Sequence, residues 1–193
     1  TKEGVIVDPG DAADEQIAAA RRHGLRILRI LLTHAHLDHV TGVGAAKRAF
    51  DVPVYLHRDD TVLYDAAAQQ GLMFGLGVEQ PPPVDRLYGT LPGEDLGFGD
   101  FAVDVLHTPG HCPGGVCLAI GPRDSTAREL FVGDTLFAQS IGRTDLPGGD
   151  HATLLRSIRD VLFAFPDATV VHPGHGPSTT IGEERRSNPF LRG

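Results

Sequence analysis

"THAHLDHVTG", residues 33–42, sets His34, His36, Asp38 and His39 within six consecutive positions, directly after the apolar run "ILRILL" at 27–32. The apolar run, with Gly24 just ahead of it, reads as a buried strand over 26–32. His34 and His36 are two apart, so in an extended segment both side chains leave the same face. Asp38 and His39 open a helix expected over 38–50, where the chain turns back. One short stretch can therefore offer imidazole and carboxylate in two directions. It differs from a helical H-E-x-x-H pair, which serves one ion from one face. Neutral imidazole and carboxylate suit zinc, iron, manganese and similar divalent ions. Even with ten histidines in the chain, a chance H-x-H-x-D-H is expected only on the order of a few times in a thousand.

Working outward, "GVIVDPG" (4–10) reads as a short buried strand closed by a turn. Residues 11–23 read as a helix with an acidic start, an alanine-rich middle and a basic end, stopped by Gly24. "VPVYLH" (52–57) reads as a strand and 58–70 as a helix. Residues 71–100 read as a loop with short strands at most. Further strands are expected at 101–110, where apolar and polar residues alternate, and at 116–120 and 129–134. Apolar positions 154, 155, 158, 161, 162 and 165 predict a helix over 151–165. "ATVVHPGHG" (168–176) reads as a strand ending in a Gly/Pro loop, and 179–190 as a final short helix. This order predicts two mixed β-sheets with helices outside them.

The chain has 193 residues, of which 41% are hydrophobic, enough for a core in a single domain over 1–193. No stretch approaches the ~20 apolar residues that would span a bilayer. The opening "TKEG" runs straight into the first strand, so no secretory leader is expected. Cys112 and Cys117 are too few for a disulfide scaffold and read as reduced thiols, which favours the cytoplasm. With a net charge of −8 and no basic run denser than "RR", a nucleic-acid partner is not expected. The oligomeric state stays open.

Three further stretches could complete a metal site. "HTPGHCPGG" offers His111 in a loop after a strand, "FVGDTLF" offers Asp134 at a strand's end, and "HPGHGP" offers His175 in another strand-end loop. His107 and His172 read as supporting or structural residues, because a ligating imidazole needs a partner for its other nitrogen. His23, His57 and His151 read as surface histidines or satisfied hydrogen-bonders.

"THAHLDH", "TPGH", "GDTLF" and "PGHG", in that order, resemble the metallo-β-lactamase superfamily over essentially the whole chain. "SIGRTDLPGGD" (140–150) and "HPGHGPSTTIGEERRSNPFL" (172–191) are most similar to its short glyoxalase II-like hydrolases. The resemblance implies an α/β fold, the αββα sandwich, with a metal site at one edge between the sheets. Relatives carry more strand before "VIVDPG", so the resemblance implies residues ahead of Thr1 or a sheet short of an edge strand.

Carried over residue by residue, it implies that His34, His36 and His111 hold one divalent ion and Asp38, His39 and His175 a second. Asp134 would bridge them opposite a water or hydroxide. Zinc is the first expectation, with iron or manganese as alternatives. The implied activity is hydrolysis of S-D-lactoylglutathione or a related acyl thioester, with Asp38 orienting the nucleophile or taking its proton. Arg143 stands where relatives carry a basic residue that meets the glycine carboxylate of glutathione. Equally, it could pair with Asp145 and brace its loop. Cys112, next to His111, reads as packing. The rival readings are a glutathione persulfide dioxygenase with one iron, a lactonase, and a metal-binding domain without turnover. A β-lactamase is disfavoured because His39 stands where those enzymes usually have another residue.

Overall fold

The computed structural model describes residues 1–89 and 94–192. The chain divides into two compact units, 1–100 and 101–193. In the first, β1 (Glu3–Val7), α1 (Ala13–His23) and β2 (Arg26–Leu31) lead into α2 (Leu37–Val40) and α3 (Val43–Phe50). Then come β3 (Val54–Leu56), a 3₁₀ turn at Arg58–Asp60, α4 (Thr61–Asp65), α5 (Ala67–Met73) and β4 (Arg86–Leu87).

The strands pair in the order β1-β2-β3-β4, and every pairing is parallel. A parallel sheet needs its faces covered, so its strands carry near-continuous apolar runs. Ile30 and Leu31 of β2 register against Val54 and Tyr55 of β3 and are fully buried. Their neighbours in the core include Val40, Leu56 and Tyr64. The Tyr88 hydroxyl donates to the Leu32 carbonyl at 3.0 Å and so pins the chain as it leaves β2 for the histidine segment.

The single helix expected over 38–50 is two helices, broken at Thr41 and Gly42. At Gly42 the chain crosses the turn after β1. A Cβ there would stand 2.4 Å from the Gly10 carbonyl oxygen and 2.3 Å from the Ala13 Cβ. The helix expected over 58–70 starts as a 3₁₀ turn, breaks at Ala66 and runs on to Met73. The loop expected across 71–100 therefore begins later. Its residues 90–93 lie outside the described residues.

The second unit holds β5 (Phe101–His107), β6 (Val116–Pro122), β7 (Glu129–Gly133), β8 (Leu136–Phe137) and β9 (Ser140–Ile141). They are followed by α6 (His151–Arg156), β10 (Val170–Pro173), β11 (Thr179–Thr180) and α7 (Ile181–Ser187). Its main sheet is mixed, in the order β11-β10-β7-β6-β5, with β10 parallel to β7 and the other pairs antiparallel. β8 and β9 form a small separate hairpin.

The helix expected over 151–165 continues from α6 through a π turn at Ser157–Val161 and a 3₁₀ turn at Leu162–Ala164. Leu154, Ile158 and Leu162 are all fully buried. They are four apart, more than the 3.6 residues of an α-helical turn, and the wider π turn keeps them on one side. Asp150 caps α6 by accepting from the Thr153 backbone N–H at 2.7 Å. The fully buried Glu184 of α7 accepts from the Gln139 N–H, the Thr179 hydroxyl and the Asn188 amide. That network fixes the tip of the β8–β9 hairpin, where Gln139 has φ of +59°.

Candidate functional site

In the first unit, β2 delivers an extended segment whose last residue, His36, stands at the start of α2 with φ −68° and ψ 152°. His34 and His39 are buried, and Asp38 is half exposed. The His34 and His36 rings meet edge to face with centroids 4.9 Å apart, and those of His34 and His39 lie 4.0 Å apart.

Asp8, just past β1, organises this group. One of its carboxylate oxygens accepts from the Thr33 backbone N–H at 2.7 Å. The other accepts the Thr33 hydroxyl proton at 2.5 Å and faces Nδ1 of His39 at 3.0 Å. An ionised carboxylate only accepts, so His39 donates from Nδ1. Thr33 gives its one proton to Asp8, so its oxygen accepts from Nδ1 of His34 at 3.1 Å. Both imidazoles are thereby the tautomer whose Nε2 carries the lone pair, the form that ligates a metal through Nε2. Nε2 of His39 lies 3.8 Å from the Asp38 carboxylate. Atoms held about 2.0–2.2 Å from one ion stand roughly 3–4 Å apart, so this spacing fits two ligands of a shared cation. The fully buried Asp60 accepts from the Ala35 N–H at 3.0 Å, fixing the backbone between His34 and His36.

In the second unit, the three candidates follow three different strands. His111 lies in the loop after β5, Asp134 directly after β7 and His175 after β10. The Gly174 N–H donates to the Gly133 carbonyl at 2.8 Å, tying the loops of Asp134 and His175 together. Nε2 of His111 and Nε2 of His175 each lie 3.8 Å from one Asp134 oxygen. His111 is buried, Asp134 nearly so, and His175 is 55% exposed. Nδ1 of His111 is 2.8 Å from the Arg143 backbone carbonyl, which can only accept, so this imidazole too presents Nε2. Gly142, beside it, permits a close approach: a Cβ there would fall 1.9 Å from the Asp134 carbonyl oxygen.

Oriented imidazoles with carboxylates at this spacing form a donor set suited to borderline divalent cations. Each unit brings its own candidates together: His34, His36, Asp38 and His39 in the first, His111, Asp134 and His175 in the second. The Arg143 side chain grips Asp145 in a two-pronged pair, Nε to Oδ1 at 2.7 Å and an Nη to Oδ2 at 2.8 Å. Those hydrogen bonds hold the Asp145 carboxyl down at about 2. In the structure Arg143 is thus paired with Asp145, with its side chain 61% exposed.

His172 bridges Glu129 and Ser178, and His107 bonds the Pro113 carbonyl; both are structural interactions. His23 and His151 are exposed, and Nδ1 of His57 accepts from the Asp59 N–H at 3.3 Å. Both cysteines are buried and reduced, and burial pushes the Cys117 thiol up to about 11. Asp8, Thr33 and Asp60 were missed as functional support. The available signal for Asp8 was a carboxylate at the end of "VIVD", beside the parallel strand that feeds the histidines. No helix among the described residues is long and apolar enough to cross a membrane.

A model of the metallo-beta-lactamase superfamily matches residues 1–175. Hydroxyacylglutathione hydrolase GloC of Haemophilus influenzae is 39% identical over 191 residues, covering 98% of this chain and 88% of that protein. The crystal structure of the BLEG-1 B3 metallo-beta-lactamase is similar with a TM-score of 0.85 and 45% identity, over 100% of this chain and 90% of that one. That of TTHA1623 in a di-iron-bound form gives a TM-score of 0.80 and 45% identity, over 96% and 88%.

Proposed function

The chain belongs to the metallo-β-lactamase superfamily and has its α/β fold, and from this premise we propose that it is a metal-dependent thioesterase of the glyoxalase II type. Its substrate would be S-D-lactoylglutathione or a related acyl thioester. The observation that carries the reading is the orientation of three imidazoles. His34, His39 and His111 each donate from Nδ1, to Thr33, Asp8 and the Arg143 carbonyl, so each turns Nε2 toward the role of ligand.

The two units would act as one domain. His34, His36 and His111 would hold one divalent ion, and Asp38, His39 and His175 a second, with Asp134 shared. The two irons of TTHA1623 support a pair of ions; zinc is the first expectation here. Bound there, divalent ions would lower the pKa of a water to about 7 and polarise a carbonyl.

The chain's own residues supply the rest. Asp38, half exposed beside His39, would orient the attacking water or accept its proton. A thiolate is a weak base and leaves without a proton donor, which is consistent with a site built from ligands alone. Arg143 would exchange Asp145 for a substrate carboxylate, which a guanidinium receives with the same two-pronged geometry. The likeness to GloC supports the thioester class.

The likeness to BLEG-1 favours a second reading, β-lactam opening by the same residues. Metal analysis combined with thiol release from S-lactoylglutathione tests the proposal. Two ions per chain and release abolished by a chelator are expected. Hydrolysis of a chromogenic cephalosporin without thiol release would replace it with the β-lactamase reading. Oxygen uptake on glutathione persulfide with a single iron would replace it with the dioxygenase.

A further inference from the structure

Leu72, Met73, Phe74 and Leu76 are 73%, 84%, 68% and 53% exposed, consecutive but for Gly75. With Val62, 77% exposed on α4, they are five of the eight large hydrophobic residues exposed among the described residues. No charged residue occurs between Asp65 and Glu79. Scattered exposed apolar residues need no explanation, but a contiguous set does.

A frayed helix end would be one explanation, and the hydrogen bonds exclude it. The Leu76 N–H donates to the Gly71 carbonyl at 2.8 Å and the Gly75 N–H to Leu72 at 3.1 Å, while Gly75 has φ of +73°. This is a complete Schellman stop. In that motif the residue after the left-handed position ordinarily packs on the helix one turn back. Here that position is Gly71, which offers no side chain, and its Cβ site is filled by Val78 at 2.8 Å. The turn is locked while its apolar side chains stand in water.

The segment closes α5 (Ala67–Met73). α5 packs against α2, the helix that carries Asp38 and His39. Ala67 of α5 and Val40 of α2 share the buried core.

We propose that the 72–76 turn is the subsite for the apolar acyl chain of the substrate, making the enzyme selective for acyl groups longer than lactoyl. The inference rests on the thioesterase reading for where the reacting carbonyl lies. The hydrocarbon end of the substrate would lie along Leu72, Met73, Phe74 and Leu76. Each methylene covered by such a surface gains roughly three- to fourfold in binding, so the effect grows with chain length.

The test compares the metal-loaded full chain with a variant carrying Leu72→Ser, Met73→Ser, Phe74→Ser and Leu76→Ser together. All four side chains are largely exposed, so circular dichroism and melting should match the parent. Across S-acetyl-, S-butyryl- and S-octanoylglutathione, kcat/KM of the parent should rise by about tenfold or more. In the variant the octanoyl-to-acetyl ratio should fall close to one.

Calorimetric binding of S-octyl- and S-methylglutathione, which cannot be hydrolysed, gives a readout without turnover. Tighter octyl binding that the variant loses would uphold the subsite even if no thioester were cleaved, in which case only the thioesterase reading falls. Thioester cleavage with a flat chain-length profile and equal thioether affinities would overturn the subsite and leave the thioesterase standing. A chain-length preference retained in the variant would also overturn it. So would a dimer in sedimentation that the four substitutions dissolve, which would make the turn a contact between copies.

Discussion

In residues 1–100 the candidate ligands come from one continuous stretch and are held by carboxylates, whereas in residues 101–192 they come from three loops and one is held by the main chain. Asp8 orients His39 directly and His34 through Thr33, and Asp60 fixes the backbone between His34 and His36. In the other unit, His111 leans on the Arg143 carbonyl, and the loops of Asp134 and His175 are joined by a backbone hydrogen bond. The first arrangement places orientation in side chains that a single substitution can delete. The second places it in peptide groups that no side-chain deletion removes, so only a change that moves the backbone reaches it.

The largest expected effect comes from a ligand itself. His39→Ala should reduce the metal content from two ions per chain to one and lower thiol release by about 100-fold or more, since an ion supplies several kcal/mol of charge stabilisation. Elemental analysis and steady-state kinetics read both; full activity with one ion would show that the half-site of Asp38 and His39 is dispensable.

Asp8→Ala comes next. Loss of a hydrogen-bond partner of a ligating histidine typically costs about 10–100-fold in affinity or activity, and Asp8 serves two imidazoles. Competition with a chromogenic chelator should show weakened binding, and Asp8→Asn should retain part of it.

The second unit should answer to Gly142→Ala instead. The added methyl would meet the Asp134 carbonyl oxygen at 1.9 Å, so the hairpin must shift. Overpacking of this kind costs about 1–3 kcal/mol, and at roughly 2–4 °C per kcal/mol for a chain of this size calorimetry would show the fall. Zinc affinity should drop with it.

Arg143→Ala is the smallest and the sharpest. The carbonyl that holds His111 survives the change, so metal content should stay at two while KM for glutathione thioesters rises. A drop in metal content would break the distinction between main-chain and side-chain bracing. The Arg143–Asp145 pair also makes a pH prediction. Arg143's hydrogen bonds depress the Asp145 carboxyl to about 2 in the folded chain, below its ordinary value of about 3.9. The pair is therefore complete above about pH 4 and is lost only as pH falls through about 2. Kinetic profiles of the parent and Asp145→Ala between pH 5 and 9 should have the same shape.

What could be read from the chain itself follows the same division. The histidine-rich stretch is legible because donors and spacing lie side by side, and β2 is legible because a buried parallel strand leaves an unbroken apolar run. Asp8 and Asp60 were hidden because their work is done across neighbouring strands: a lone aspartate in "VIVDPG" or "HRDD" looks like a turn residue. The β8–β9 hairpin escaped because two-residue strands are too short to show alternation. The break at Gly42 escaped because its cause, the carbonyl of Gly10, lies far along the chain. The π turn inside 151–165 left a trace in the four-residue spacing of Leu154, Ile158 and Leu162, which a 3.6-residue reading absorbs.

Cys112 and Cys117 are both buried, and the Cys117 sulfur sits against the hydroxyls of Thr108 and Thr135. A sulfhydryl buried out of reach neither exchanges with disulfides in the medium nor reacts with a colour-forming sulfhydryl reagent. In a continuous assay with such a reagent, the native protein contributes no background, and the signal counts product alone. The same silence ends on denaturation, when both sulfhydryls titrate at once and report the unfolded fraction.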